Sequence, residues 1–164
     1  MTGVTLQTGT VSAVDADGVK ARVRLPECDN MRTNWLDVLQ RNTQNNKDYW
    51  LPDVGEQVKV LLDENGEDGV ILGAVYSDVD KPPFSDRNVR GTKFSDGGEF
   101  SFIRVLYTLI IRGGIEHMVI ECSANVMVKT QKATIDAPQT EVTGDMLVRG
   151  KLTYEGGMAG SGGE

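Results

Sequence analysis

Hydrophobic and polar residues alternate along most of this chain, and the alternation changes character near residue 80. After Gly9, the run Thr10-Val11-Ser12-Ala13-Val14 is followed by Asp15-Ala16-Asp17-Gly18 and then by Val19-Lys20-Ala21-Arg22-Val23-Arg24-Leu25-Pro26. Val19, Ala21, Val23 and Leu25 share one face and Lys20, Arg22 and Arg24 the other, the pattern of a strand with one buried and one wet side. Two such runs about a D-x-D-G turn predict a hairpin. The polar stretch Glu27 to Asp48 surrounds a short Trp35 to Leu39 run and predicts one strand followed by a long loop. Tyr49-Trp50-Leu51-Pro52 leads into Val54 to Leu62, then the polar Asp63 to Gly69 and the apolar Val70 to Tyr76, a second hairpin with a longer turn. About five short β-runs without a helical period predict a small closed barrel of the oligonucleotide/oligosaccharide-binding (OB) type over residues 1–83, since closure removes exposed edges. Its expected core includes Val23, Leu25, Trp50, Val58, Val60 and Ile71. Lys81-Pro82-Pro83, with two residues that lack a backbone donor, is the expected end of this domain.

Residues 84–112 predict neck strands: Gly91 to Phe102 reads as strand, turn, strand, and Val105 to Ile111 as another strand. The period of two is then sustained over residues 113–155. Met118, Ile120, Cys122, Ala124, Val126 and Val128 stand on one phase, opposite His117, Glu121, Asn125 and Lys129. The phase slips through Ile135, is interrupted at Pro138, and returns with Val142, Met146, Val148 and Leu152. A pattern of roughly 40 residues is far longer than an ordinary strand and needs repeated strands or partner chains to cover its edges. Three copies intertwined about a three-fold axis bury the apolar phase and leave no edge, so a triple-stranded β-helix is expected, with Met118 through Leu152 as trimer interior. A single-chain β-solenoid is the alternative, but the only echo that could serve as a repeat is Val-Thr-Gly-Asp at 142 and Val-Arg-Gly-Lys at 148. Residues 156–164, with Gly156, Gly157, Met158 and Gly160, form a glycine-rich end suited to a flexible tail or to close approach at a tip.

Composition narrows the function. The chain has 164 residues, Lys+Arg 17 against Asp+Glu 24, and a formal charge of −7. A trimer would carry three times −7, about −21, which argues against nucleic acid as a partner because phosphate neutralisation supplies most non-specific affinity. Trp35, Tyr49 and Trp50 with Arg22, Arg24, Arg32 and Arg41 are nevertheless the residue types of a single-strand-binding barrel, and that is the second reading. No window is long and apolar enough for a membrane helix, and Met1 to Thr5 lacks the basic-then-apolar start of an export signal, so synthesis in the cytoplasm is expected. Cys28 and Cys122 lie far apart without metal spacing and read as reduced structural residues.

The order of motifs resembles the baseplate assembly protein V family, the central spikes of contractile phage tails related to VgrG spikes of type VI secretion. The resemblance rests on Trp35-Leu36, on Trp50-Leu51-Pro52-x-Val54-Gly55-Glu56-Gln57-Val58, on Val70-Ile71-Leu72-Gly73-Ala74-Val75-Tyr76-Ser77, on Phe94-x-Asp96-Gly97 and on the alternating C-terminal run. It implies a homotrimer whose barrel caps the tail tube through hub proteins and whose stem faces the host outer membrane, assembled in the host cytoplasm and carried in the virion tail. Several such spikes end in an apex where a His-x-His pair binds iron. His117 is the one histidine here, is followed by Met118 and Val119, and cannot supply that pair, so no cofactor is expected. Because the chain ends in Gly and Ser where an apex would begin, a separate tip protein docking at Gly156 to Gly160 is expected.

Catalysis finds little support. Asp63, Glu64, Glu67 and Asp68 do not follow the order of an EF-hand loop and read as a solvated hairpin tip. Gly160-Ser161-Gly162 lacks the flanking glycine, strand and helix of a nucleophile elbow. Neither a Walker loop nor a dinucleotide fingerprint is present, and a non-enzymatic structural protein is the expectation.

Overall fold

The computed structural model describes residues 3–157. The chain divides into two compact units, Met1–His117 and Met118–Glu164.

The first unit begins with a closed barrel. Its strands are β1 (Thr5–Asp15), β2 (Lys20–Leu25), the two-residue β3 (Met31–Arg32), β4 (Leu36–Val38), β5 (Gln57–Leu62) and β6 (Gly69–Ala74). The sheet order β1-β5-β6-β4-β2-β3, with β1 also paired to β2, closes a ring of five strands and leaves β3 as an appendage on β2. Every barrel pairing is antiparallel except β4 with β6, where Asp37 faces Val70 and Val38 faces Ile71. β1 is long because it serves two partners: Thr5 to Thr10 pair with β5, and Thr10 to Asp15 with β2. Gly9 sits beside the switch, where an added Cβ would fall against the Val23 side chain and 2.7 Å from the Arg24 carbonyl oxygen. A side chain has no room at that crossing. The fold is therefore all-β with an OB barrel, as the alternation predicts.

The core follows the predicted phase. Val11, Ala21, Val23, Leu25, Leu36, Val38, Val58, Val60, Leu62 and Ile71 are buried, drawn from all five ring strands. Five of the six expected core residues are in that set. Trp50 is not: it is half-buried against the edge of the core, and its indole N–H donates to the Leu39 carbonyl at 2.8 Å. An indole needs a partner for its donor, and the rim supplies one while the core does not. The first turn also differs in detail. Gly18 donates its N–H to the Asp15 carboxylate, yet the left-handed residue is Val19, with φ of 52°. This β-branched residue is held there because its carbonyl accepts from Val38 N–H at 3.1 Å and its side chain packs on the core.

Residues 75–88 carry no strand, and beyond them lies a second sheet, the meander β7 (Val89–Lys93), β8 (Glu99–Ile103) and β9 (Thr108–Arg112). The strand expected over Val105 to Ile111 is corrected here. Arg104–Leu106 form a 3-10 turn closed by Tyr107 at φ 50°, and β9 starts only at Thr108. The chain must reverse between β8 and β9, and Arg104 to Tyr107 make the turn without a glycine.

In the second unit, residues 118–157 form no helix or strand and all are exposed. Gly156 and Gly157 belong to this stretch; Met158 and Gly160 lie outside the described residues. Cys28 is half-buried against the barrel core and Cys122 is exposed, both as free thiols.

Candidate functional site

Three surfaces carry the chemistry of this chain. The first is on the β7–β9 meander. Glu99 of β8 faces Arg112 of β9 in register, and its Oε2 accepts from both Nε and Nη2 of Arg112 at 3.0 Å. Ser101, fully buried, donates its hydroxyl to the other carboxylate oxygen. Gly91 of β7 lies opposite Ser101 and leaves space for it, since a Cβ there would come within 2.5 Å of the Ser101 Cβ. The hydroxyl and the guanidinium together hold the Glu99 carboxyl below its ordinary value of 4.5. A lowered folded-state value means that the pair contributes stability above the ordinary carboxylate range and loses it as pH falls through the lowered value. Urea unfolding across that range is expected to show an acid-weakened second sheet, and Glu99→Gln to be less stable at neutral pH with a flatter acid limb. An unchanged acid limb in Glu99→Gln would assign the loss to other carboxylates.

The opposite face of this meander is apolar and open. Phe100 faces Ile111 and Phe102 faces Leu109 across β8 and β9, and all four are exposed.

The second surface is the outer wall of β2 and β3. Lys20 pairs with Asp37 at 2.9 Å, which raises its pKa. Arg22 lies over Trp35, with 4.9 Å from its guanidinium carbon to the ring centroid. Arg32 donates through Nε to Ser12 Oγ at 3.0 Å. The other aromatic and basic residues of the second reading are dispersed or occupied: Trp50 bonds to the Leu39 carbonyl, Arg41 pairs with Asp48 at 3.1 Å, and Tyr49 projects into solvent. Among the described residues there is thus one Arg22–Trp35 contact and no continuous stacking platform.

Beside that wall, the β5–β6 hairpin tip holds the acidic cluster. The Asp63 carboxylate accepts from Glu67 N–H at 2.8 Å and Asp68 N–H at 3.3 Å, and Asp68 accepts from Gly69 N–H at 2.7 Å. These carboxylates order their own turn. Among the described residues no group of three His, Cys, Asp or Glu side chains is arranged to hold a metal ion.

The five-stranded ring spans the stretch that comparison with known proteins singles out. Residues 7–76 match the family described as the type VI secretion system/phage-baseplate injector OB domain. The five-stranded ring is similar to that injector domain. The chain is also 26% identical to the spike protein of Escherichia phage P2, in an alignment covering 97% of this chain and 80% of that protein. The resemblance read from the Pro52 to Val58 and Leu72 to Ser77 segments is therefore to the family that the barrel matches. In the barrel the first of those segments has structural work: Gly55 takes a φ of 98°, its N–H donates to the Val11 carbonyl at 2.9 Å, and Val11 N–H donates to the Glu56 carbonyl at 2.9 Å. It ties the entry of β5 to the centre of β1.

The third surface lies beyond the injector barrel, in residues 118–152. Met118, Ile120, Val126, Val128, Ile135, Val142, Met146, Val148 and Leu152 are exposed, from 44% at Val148 to 78% at Ile135. Cys122 and Ala124 are exposed with them. Val119, Met127 and Leu147 of the other phase are equally open, so the two phases differ in chemistry and not in exposure.

Proposed function

We propose that this protein is the central spike of a contractile-tail baseplate, a homotrimer whose barrels cap the tail tube through hub proteins and whose stems wind into a triple-stranded β-helix that pierces the host outer membrane when the sheath contracts. The observation that carries the reading is the uncovered apolar stripe from Met118 to Leu152, following an injector barrel in the same chain. A stripe of this length is a burden to a lone soluble chain, which rarely exposes apolar patches beyond a few hundred Å². Residues that alternate like strands and find no ladder among the described residues gain one when two copies lie alongside. Each fully buried Val- or Leu-sized group then contributes ~1.5 to 3 kcal/mol. The relative named as a spike protein, aligned over nearly the whole chain, supports the same assignment and a place in the virion tail.

The action is mechanical and requires no catalysis. Force enters at the barrel collar, and a dry stem with an interchain hydrogen-bonded wall resists bending, while its outer phase of Glu121, Asn125 and Lys129 keeps the needle soluble before assembly. The purified full-length protein is expected to have a solution mass of about 53.7 kDa, three times 17.9 kDa, by light scattering and native mass spectrometry, and to hold it on dilution. A stable monomer would overturn the trimeric spike.

A further inference from the structure

We propose that the outer wall of β2 and β3 is a docking surface for a short acidic segment of another protein, taken up in extended form with its carboxylates on Arg24, Arg32 and Arg22. This goes beyond the spike assignment and concerns the barrel alone. Arg24 and Arg32 stand directly opposite each other in the β2–β3 pairing, and both are exposed. Like charges directly across a ladder destabilise it. Among the described residues neither arginine, nor Arg22 on the same face, has a carboxylate within 4.0 Å, although Lys20, Arg41, Lys81 and Arg112 each have one. The wall thus concentrates positive charge that the chain does not neutralise, on a protein whose formal charge is −7.

Two of the three arginines, Arg22 and Arg32, are also held in place. Ser12 Oγ donates to the Arg22 carbonyl at 3.1 Å and accepts from Arg32 Nε at 3.0 Å, linking the two strands. Trp35 backs the Arg22 guanidinium, and Arg22 Nε is buried without a hydrogen-bond partner. Trp35 is 40% exposed beside Arg22. Arginine and tryptophan are residues enriched where proteins meet. Arg22 and Arg24 are two residues apart on one face, a spacing of roughly 6.8 Å that matches carboxylates at alternate positions of an extended segment.

The surroundings select the class of partner. The acidic hairpin tip approaches β3 from the other face: Met31 pairs with the buried Leu25, and a Cβ on Gly66 would be 3.3 Å from the Met31 methyl carbon. The arginine face is left to an incoming anion. The exposed Trp35 ring beside Arg22 offers apolar contact that a bare polyanion leaves unused, whereas a short acidic segment with apolar side chains between its carboxylates meets both.

Fluorescence anisotropy on the full-length protein with the labelled peptide Gly-Glu-Leu-Glu-Leu-Glu-Gly tests the assignment. Binding is expected to weaken with salt and to fall at least about tenfold, or ~1.4 kcal/mol, in Arg24→Glu/Arg32→Glu. The neutral pair Arg24→Gln/Arg32→Gln, with an unchanged circular dichroism spectrum, is expected to fall in the same direction. Lys132→Glu/Lys151→Glu makes the same change in net charge in the other unit and is expected to bind as the parent does. Absence of peptide binding, or an equal loss in the lysine variant, would overturn the proposal. Tighter, arginine-dependent binding of an oligothymidylate would overturn it as well and make the wall a nucleic-acid surface. The solution mass of each variant, measured alongside, keeps this result separate from that of the trimeric spike.

Discussion

A Val126→Asp protein is expected to elute and scatter as a 17.9 kDa monomer where the proposed spike is a trimer. Val126 lies within the longest unbroken stretch of the apolar phase, Met118 to Val128, and is 62% exposed in the single chain. In a three-fold stem each copy places residue 126 near the axis, so one substitution brings three carboxylates together in a space closed to water. The effective penalty for a buried, uncompensated charge is several kcal/mol each, and the like charges repel in a medium that screens them poorly. The parent side chain would have contributed about 1.5 to 3 kcal/mol per copy. Both changes act against association, and neither acts on the barrel, so the variant should keep its far-ultraviolet spectrum from residues 3–117 while losing its mass. Lys129→Asp, on the opposite phase, should remain trimeric. A trimeric Val126→Asp with a monomeric Lys129→Asp would reverse the phase of the stem.

Leu36→Ala should unfold the barrel at distinctly lower urea, with a loss of ~2 to 5 kcal/mol. β4 has three residues, and two of them, Leu36 and Val38, are buried. It is the strand that closes the ring, antiparallel to β2 on one side and parallel to β6 on the other. Removing a fully buried isobutyl group leaves a cavity at the seam, where a segment this short has little else to hold it. Against a total of about 5 to 15 kcal/mol for an ordinary domain, the loss is a large share. An equal substitution at the exposed Leu39 should change stability by ~0.5 kcal/mol or less. A shift of that small size in Leu36→Ala would show that the ring closes without this strand.

The barrel was legible where strands were long enough to show their period. Ala21, Val23 and Leu25, and Val58 and Val60, alternate with charged or polar neighbours, and the structure buries them. Leu36 and Val38 escaped the expected core because three residues do not establish a period. Trp50 was expected in the core, whereas its N–H takes it to the rim. The 3-10 turn at Arg104–Leu106 was hidden by residues of strand-like composition, since the need for a reversal lies in the pairing of β8 with β9 and not in local preference. The Arg24–Arg32 juxtaposition could not be read either, because it depends on β3, two residues of irregular sequence that only pairing reveals. Residues 118–157 pose the reverse case: their pattern is plain in the sequence, but no strand partner for it lies among the described residues.

β1 belongs to two ladders at once, with Thr10 paired both to Gln57 of β5 and to Arg24 of β2. A pull along its axis cannot peel the barrel open one bond at a time. The load falls in shear on both ladders together, so the strand that leads into the barrel is also its mechanical lock.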